Sequence, residues 1–285
     1  MAEPEPQPGH SGPRGPVLVG VDDAYDQQIV VRHGAAEAAR REVALHILHA
    51  VEWPLPTGAA EAYGHVSEPQ AQAASVLEAF TRRAHAEFPG LPVVAEPFTG
   101  RPAAALVERS AAASLVVVGH RGTGGFPRLP LGSVSWQVAT HARCPVLVVR
   151  PGSTPARPAH RVVAGVDPAD LAAEPLRFAV TEAALREAEL TLLAAGDGHR
   201  QGAADLADVA AAWRHEYPDL TVTTRIVPGG AAAALADASS DAELVVVGSR
   251  GRTGVRRALL GSVSAAVLHT ADCPVTVVPV GPDGG

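Results

Sequence analysis

The sequence predicts an α/β protein made of two tandem copies of one doubly wound domain, each with a parallel sheet between two layers of helices. Three observations support this prediction. The chain has 285 residues, enough for about two domains of roughly 150 residues each. A long segment occurs twice at a constant spacing, and short apolar runs alternate with alanine-rich helical stretches in each copy.

An internal repeat defines the two copies. Residues 115–149, which begin LVVVGHRG, match residues 244–278, which begin LVVVGSRG, at an offset of 129 positions. Upstream, VLVGVDD at 17–23 matches VVAGVDP at 162–168 at an offset of 145 positions. The offsets differ by 16, so the first copy carries 16 extra residues between these two matches. We expect them in the proline- and glycine-bearing stretch around 52–70.

The elements of each copy follow its hydrophobic pattern as strand, helix, strand, helix, strand, helix, strand. Strands are the short runs rich in valine and leucine, and helices are the alanine-rich stretches between them. The predicted elements of the first copy are a strand at 17–21, a helix from Gln27 to Glu42, a strand at 43–50, a candidate strand at 93–97, a helix from Pro102 to Ala113, a strand at 115–118, a helix from Ser133 to His141 and a strand at 146–149. Ligands of such sheets bind beyond the carboxyl ends of the strands.

Composition marks the boundaries of the two copies. Residues 1–15 and 151–160 are rich in proline and lack apolar periodicity, so we expect a disordered tail and an extended linker there. The two domains are then expected at 16–150 and 161–281. The first residues lack the apolar core of a secretory signal, and no stretch approaches the ~18 apolar residues that a membrane span needs. We therefore expect a cytoplasmic protein.

Charge and residue usage exclude several classes of function. The formal net charge of −7 argues against nucleic acid and anionic membrane surfaces as partners. All 23 basic residues are arginine, so a phosphate loop of the G-x-x-x-x-G-K-[ST] type and a Schiff-base lysine are both excluded. Two cysteines form neither a disulfide framework nor a metal cluster, and we expect Cys144 and Cys273 to be buried packing residues.

The glycines after the strand at 244–247 indicate a phosphate-binding loop. Gly248, Gly251 and Gly261 have the spacing G-x2-G-x9-G, and Ser262 opens the next helix. The N-terminus of a helix carries unpaired N–H groups and partial positive charge, and a glycine there lets the backbone approach an anion. The first copy repeats the spacing with Gly119, Gly122, Gly132 and Ser133. A purely structural role, with glycines making turns and Ser262 capping the helix, stays open at this point.

An aspartate ends the first strand of each copy in the pattern G-V-D. Asp22 and Asp167 are these residues, and each would lie beside the strand that precedes the glycine loop. A carboxylate there can accept hydrogen bonds from ribose hydroxyls or from a base. It can also cap the following helix, and both roles are compatible.

Together these motifs resemble the universal stress protein family in its tandem two-domain form. The resemblance rests on G-x2-G-x9-G-S after a V-V-V-G strand, on G-V-D in the first strand and on C-P-V in the last, and covers nearly the whole chain apart from the tail and linker. It implies a five-stranded parallel sheet of order 3-2-1-4-5 in each domain. It also implies ATP, with or without Mg²⁺, as the ligand of members that keep this motif.

The resemblance also implies which residues hold the nucleotide. Asp22 and Asp167 would contact the adenosine, and Ala50 and Ala195 would contact adenine through their backbones. The residues that would hold ribose and phosphates are Gly119, Gly122, Gly132, Ser133 and Ser135 in the first copy, and Gly248, Gly251, Gly261, Ser262 and Ser264 in the second. In this family similar domains pair through their last strands, so 146–149 and 275–278 would join into an internal pseudo-dimer, and further homodimerisation would be compatible with this pairing.

Departures from the family pattern predict that the two sites differ. Asp23-Ala24 and Pro168-Ala169 stand where Gly-Ser often follows the aspartate, and His120 stands where serine is common. In the second copy, alanine replaces the histidine that precedes the adenine-contacting residue. The second glycine loop is richer in arginine, which predicts a tighter and more salt-sensitive site. Its arginines are Arg250, Arg252, Arg256 and Arg257, against Arg121 and Arg128 in the first loop.

We expect a nucleotide-binding stress or regulatory protein without catalytic residues or metal ligands. Phosphoryl transfer needs an oriented nucleophile, a held metal and charge stabilisation. Residues 248–264 contain no Asp, Glu or His, and residues 119–135 contain only His120. A slow ATPase or nucleotidyl-transferring enzyme on the same fold stays as an alternative, as does an interaction scaffold with vestigial sites. Rossmann dinucleotide binding is disfavoured, because no G-x-G-x-x-G follows the first strand of either copy.

Overall fold

The structure is a computed structural model. It describes residues 15–22, 27–51, 68–120, 131–150, 152, 160–168, 171, 174–196, 200–249 and 260–280. Several predictions concern positions outside the described residues, among them nearly all of the tail and linker, Gly122, Gly251 and the arginines of both glycine loops.

The described residues of each copy form five strands, one more than the simple alternation of the sequence indicates. The strands of the first copy are β1 (Val17–Val21), β2 (Leu45–Val51), β3 (Val93–Thr99), β4 (Leu115–Gly119) and β5 (Val146–Val149). Those of the second copy are β6 (Arg161–Gly165), β7 (Glu189–Ala195), β8 (Val222–Val227), β9 (Leu244–Gly248) and β10 (Val275–Val278). The candidate strand at 93–97 is therefore a full strand that ends at Thr99.

Four helices lie in the described part of each copy. Those of the first are α1 (Gln27–Arg40), α2 (Glu68–Glu87), α3 (Pro102–Arg109) and α4 (Ser133–His141). Those of the second are α5 (Glu174–Leu185), α6 (Arg200–Glu216), α7 (Ala231–Ser239) and α8 (Ser262–Thr270). Their bounds correct two predicted helix ends, since α1 stops at Arg40 rather than Glu42 and α3 stops at Arg109 rather than Ala113.

The helix α2 is not among the elements that the sequence pattern predicts. This helix buries Ala73, Leu77, Phe80 and Ala84, a spacing of four, three and four residues that follows one face of a helix. The stripe is narrow, and alanines and polar or charged residues stand between most of its members, so the segment lacks a long continuous apolar run. The 16 residues at 52–67 separate β2 from α2, whereas four residues at 196–199 separate β7 from α6, so most of the extra length of the first copy lies where we expected it.

The ten strands form one sheet. Its order is β3-β2-β1-β4-β5-β10-β9-β6-β7-β8, so each copy contributes a parallel five-stranded half of order 3-2-1-4-5, as predicted. The halves join through antiparallel pairing of β5 with β10, in which Val275 lies opposite Val148 and Val277 lies opposite Val146. This confirms the predicted pairing of the last strands and shelters two edges that each half would otherwise expose.

Helices cover both faces of the sheet. Alternate residues of each strand enter opposite cores, as Val17 and Val19 enter one core and Leu18 enters the other. The helices α1, α2, α5 and α6 contribute to the first core, while α3, α4, α7 and α8 contribute to the second. Cys144 and Cys273 are free thiols buried in the second core, which confirms their predicted packing role. No helix in the described ranges is long and apolar enough to cross a membrane.

Candidate functional site

The strand ends of the first copy bring three predicted site residues to one edge of the sheet. Val21 lies opposite His49 in the β1–β2 register, so Asp22 follows β1 beside Ala50. Gly20 lies opposite Val118 on the other side of β1, which places Gly119 next to the end of the same strand. Asp22 and Ala50 are both half-buried, so the edge stays accessible to a ligand.

The second copy repeats this arrangement. Gly165 lies opposite Leu193, so Asp167 follows the end of β6 near Ala195, and both residues are half-buried. Ala164 lies opposite Val246, which puts Gly248 near the same end of β6. The predicted aspartate, alanine and first glycine are therefore brought together in each copy.

The capping alternative for the two aspartates stays open. α1 is described from Gln27, five residues after Asp22, and α5 is described from Glu174, seven residues after Asp167. Residues 23–26, 169–170 and 172–173, which separate them, lie outside the described residues. Capping of the following helix therefore stays beside nucleotide contact as a role for these carboxylates.

Glycines stand at the N-caps of α4 and α8. Gly132 (φ −66°, ψ 148°) and Gly261 (φ −61°, ψ 150°) have extended backbones, and neither helix has a side-chain cap. Ser133 and Ser262 are the first helical residues and are exposed, so Ser262 does not cap α8 and that structural alternative is wrong. Both helices thus begin with N–H groups that lack a side-chain acceptor and with the positive end of the helix dipole.

Backbone hydrogen bonds close each glycine loop at its base. The N–H of Gly132 donates to the carbonyl of His120 at 2.8 Å, and the N–H of Gly261 donates to the carbonyl of Ser249 at 2.9 Å. The N–H groups of His120 and Ser249 donate in turn to Val149 and Val278 at 2.7 Å. These bonds fix the start of each helix beside the end of the strand before it. The loop positions 121–130 and 250–259 lie outside the described residues.

Two serines tie these helices to the strand ends. The hydroxyl of Ser135 donates to the carbonyl of Gly119 at 2.5 Å, and that of Ser264 donates to the carbonyl of Gly248 at 2.5 Å. Both serines are buried. Their hydroxyl protons are already used inside the protein, whereas a phosphate oxygen needs a donor. Ser135 and Ser264 therefore position the helix, and any phosphate contact by their hydroxyls stays a prediction that the geometry does not favour.

Comparison with known proteins identifies the family. A family model described as the universal stress protein family matches residues 13–150 and, a second time, residues 158–279. The chain belongs to the universal stress protein family. The two matched ranges contain β1–β5 and β6–β10, so each half of the ten-stranded sheet corresponds to one match.

Relatives share the tandem length. The universal stress protein Rv2005c from Mycobacterium tuberculosis is 32% identical and aligns over 97% of this chain and 99% of its own length. Another from the same organism, Rv2623, is 34% identical over 92% of this chain and 95% of its own length. The crystal structure of a universal stress protein from Archaeoglobus fulgidus superposes with a TM-score of 0.74 at 22% identity, covering 95% of this chain and 98% of that one. At this identity the superposition shows the fold alone.

The shifted pKa values of this universal stress protein fold lie away from the strand ends. Burial raises the pKa of Cys144 and of Cys273 to about 12, so neither thiol is a nucleophile near neutral pH. Burial also lowers the pKa of His33 to about 4, but His33 lies on α1. In the described parts of the chain, no group of three or more His, Cys, Asp or Glu residues is placed to hold a metal ion.

A cavity beside the second site was not foreseen from the sequence. Its volume is about 620 Å³, and it lies between the end of α4 and the strand ends of the second copy. The described residues that line it are Ala139, Thr140, His141, Ala142, Arg143, Ser249 and Pro279. The sequence gives one indication that this space differs between the copies, namely that Pro279 stands where the first copy has Arg150.

Proposed function

We propose that each half of the chain binds an adenine nucleotide, with ATP as the ligand, and that the protein acts as a non-catalytic stress-response module of the cytoplasm. One observation carries the proposal. In both copies a glycine begins an uncapped helix, and backbone hydrogen bonds hold that helix beside the strand end. An anion placed there meets helix N–H groups that have no side-chain cap, together with the positive end of the helix dipole.

The neighbouring strand ends supply the groups that a nucleoside needs. Asp22 and Asp167 lie one strand away from Gly119 and Gly248 and accept hydrogen bonds from ribose hydroxyls. The backbones of Ala50 and Ala195, one strand further, face the adenine. Phosphates bind at the start of α4 and α8, where Gly132 and Gly261 bring the backbone close to the anion.

The proposal assigns one site to each expected domain, 16–150 and 161–281. Each domain supplies its own aspartate, alanine, glycines and helix start, so a nucleotide at one site needs no residue of the other domain for its basic contacts. When Mg²⁺ accompanies ATP, the nucleotide's own phosphate oxygens are its natural ligands.

Mass spectrometry of small molecules released from freshly purified, denatured protein tests the proposal directly. An adenine nucleotide should be released, and calorimetry on the emptied protein should then give about two ATP sites per chain. Protein that carries no nucleotide and binds neither ATP nor ADP at millimolar concentration would leave the interaction scaffold as the better account.

A further inference from the structure

Two equivalent positions after α4 and α8 carry opposite charges. Arg143 follows α4 in the first copy, and Asp272 occupies the same position after α8 in the second. The backbone N–H of Arg143 donates to the hydroxyl of Ser110 at 2.9 Å, and that of Asp272 donates to the hydroxyl of Ser239 at 2.8 Å. The same hydrogen bond to a serine hydroxyl therefore holds both backbones, and the two positions differ in the charge of the side chain.

The antiparallel pairing of β5 with β10 places Arg143 and Asp272 each beside the candidate site of the other copy. Because β10 runs antiparallel to β5, the end of β10 lies at the edge where α4 ends and β5 begins. α4 and α8 also run past each other in opposite directions, since Trp136 near the start of α4 stacks on His269 near the end of α8. Their ring centroids are 6.2 Å apart, with 9° between the ring planes. The end of α4 consequently lies next to the start of α8.

The cavity of about 620 Å³ connects Arg143 to Ser249, which ends the described strand region before the second glycine loop. It is lined by exposed Arg143 from the first copy and by Ser249 from the second. The carbonyl of Ser249 accepts the hydrogen bond from Gly261, the N-cap of α8. A ligand whose phosphates lie at the start of α8 therefore extends toward Arg143 through this space. Among the described residues, Arg143 forms no ion pair that would hold its guanidinium elsewhere.

The corresponding space in the first copy is arranged differently. Arg150 stands there in place of Pro279, and its guanidinium donates to the carbonyls of His269 and Ala271 at 3.0 and 2.5 Å. That arginine binds the carbonyls at the C-terminal end of α8, where its charge offsets the negative end of the helix dipole. The residue equivalent to Arg143 is Asp272, whose carboxylate repels phosphate.

We propose that Arg143 reaches across the boundary between the copies and binds the outer phosphates of a nucleotide in the second site, so that the second site selects ATP over AMP and the first does not. This inference rests on the proposed function. Arginine binds phosphate with charge-assisted hydrogen bonds, and AMP has no outer phosphates to receive them. The discrimination therefore depends on a residue that the second copy does not itself contain.

Affinities for ATP and AMP, measured by calorimetry on variants with one intact site, test the inference. When Gly132→Val blocks the first site, Arg143→Ala should lower the affinity of the second site for ATP about tenfold. It should change the affinity for AMP by less than about twofold. It should also make ATP binding less sensitive to salt. When Gly261→Val blocks the second site, the matched variant Asp272→Ala should leave the affinity of the first site for ATP unchanged or slightly higher. Asp272→Arg should raise the affinity of that site for ATP more than its affinity for AMP.

The result that overturns the inference differs from the result that overturns the function. If the second site binds both nucleotides and Arg143→Ala leaves the ratio of ATP to AMP affinity unchanged, Arg143 does not contact the phosphates and the proposed function stands. If the wild-type protein binds neither nucleotide, the proposed function fails and this inference with it. Should a blocked-site variant not fold, the Arg143→Ala chain with both sites intact gives the same ratio from a two-site fit.

Discussion

The guanidinium of Arg186 binds the carboxylate of Glu37 across the boundary between the two copies, and Arg41 binds Glu182 in the reciprocal direction. Each arginine lies just after its helix and also pairs with the glutamate four residues earlier in its own copy. The four residues form a closed ring between α1 and α5, in which every side chain is at most 11% exposed. Arg40 and Glu243 extend the ring at one side, where Arg40 binds Glu37 at 3.0 Å and Glu243 binds Arg186 at 3.3 Å.

The ring joins the copies on the face of the sheet opposite to α4 and α8. Burial alone would raise the pKa of Glu37, but Arg186, Arg41 and Arg40 outweigh it and lower the pKa to about 2. The carboxylate is therefore charged near neutral pH, and each buried charge in the ring has a partner. Removing one partner leaves the others buried and unpaired, which costs more than the ring itself contributes.

Glu37→Gln should lower the free energy of unfolding by about 3–5 kcal/mol, because it leaves Arg41 and Arg186 short of a counter-charge in a buried site. Urea unfolding followed by circular dichroism measures this. Glu78→Gln is the control, since the Glu78–Arg82 pair is exposed and should contribute less than about 1 kcal/mol. A loss in Glu37→Gln no larger than in the control would mean that solvent screens the ring.

Acid should destabilise the protein through His33. Burial is the main cause that lowers the pKa of His33 to about 4; Glu37 opposes it, while Arg186, Arg32 and Arg40 add to it. The unfolded chain takes up a proton near pH 6.5 and the folded chain only near pH 4, so stability falls as the pH drops between these values. The free energy of unfolding falls by about 3 kcal/mol through the titration of His33 alone.

Urea unfolding at a series of pH values tests the role of His33. His33→Gln, which does not titrate, should show a shallower decline of stability between pH 6.5 and 4 than wild type. Below pH 4.5 both proteins should lose stability together, because the depressed pKa of Glu37 makes its carboxylate a source of stability that protonation removes. Parallel curves above pH 4.5 would show that His33 does not carry the effect.

The elements that sequence predicted best are those whose local signals agree. Three elements have the predicted bounds: the strand at 17–21, the strand at 146–149 and the helix from Ser133 to His141. A run rich in valine marks each strand, and a glycine stands before the helix. The duplication also appears in the backbone. Glu42 and Glu187, 145 residues apart, both adopt positive φ (55° and 52°) where α1 and α5 have ended.

The features of the site and of the joined copies that sequence did not predict depend on tertiary contacts. Glu37 and Arg41 have the spacing of an ordinary surface pair on a helix, but both side chains are buried and each also pairs with a residue of the other copy. In the same way, Ser135 has the sequence position of a phosphate ligand, but its hydroxyl is bonded to the carbonyl of Gly119. The cavity at Arg143 exists because β5 and β10 pair, which no local pattern reports.

ATP should raise the melting temperature far more than GTP does. The adenine would be recognised by backbone groups near Ala50 and Ala195, whose donors and acceptors do not match guanine. A micromolar site in millimolar ATP adds about 4 kcal/mol of stability. Thermal unfolding at matched concentrations of the two nucleotides measures the difference, and equal shifts would remove the adenine assignment.

Hydrolysis of ATP should be absent or much slower than about 1 s⁻¹. Among the described residues at the starts of α4 and α8, His120 is the one whose side chain could act as a general base, and it is buried. Phosphate release from purified protein, with Asp22→Asn and Asp167→Asn measured in parallel, tests this. Sustained turnover above that rate that disappears in either variant would favour the slow-enzyme alternative.

Gly261→Val should abolish nucleotide binding at the second site and leave the first nearly intact. The backbone of Gly261 (φ −61°, ψ 150°) is one that valine adopts readily, so the variant should fold. Its side chain would instead occupy the space that phosphates need at the start of α8.

Gly230→Val is the matched control for Gly261→Val. Gly230 is the extended N-cap of α7, a helix outside both sites, and a Cβ there meets nothing within 4 Å. Calorimetry should give about two ATP sites in wild type and in the control, and about one in Gly261→Val. Gly132→Val should likewise leave one site, but the remaining one should be the second, which we expect to be the tighter and more salt-sensitive of the two. A folded Gly261→Val protein that binds ATP with unchanged number and affinity would show that the start of α8 does not hold phosphate, and that the repeated glycines serve the architecture alone.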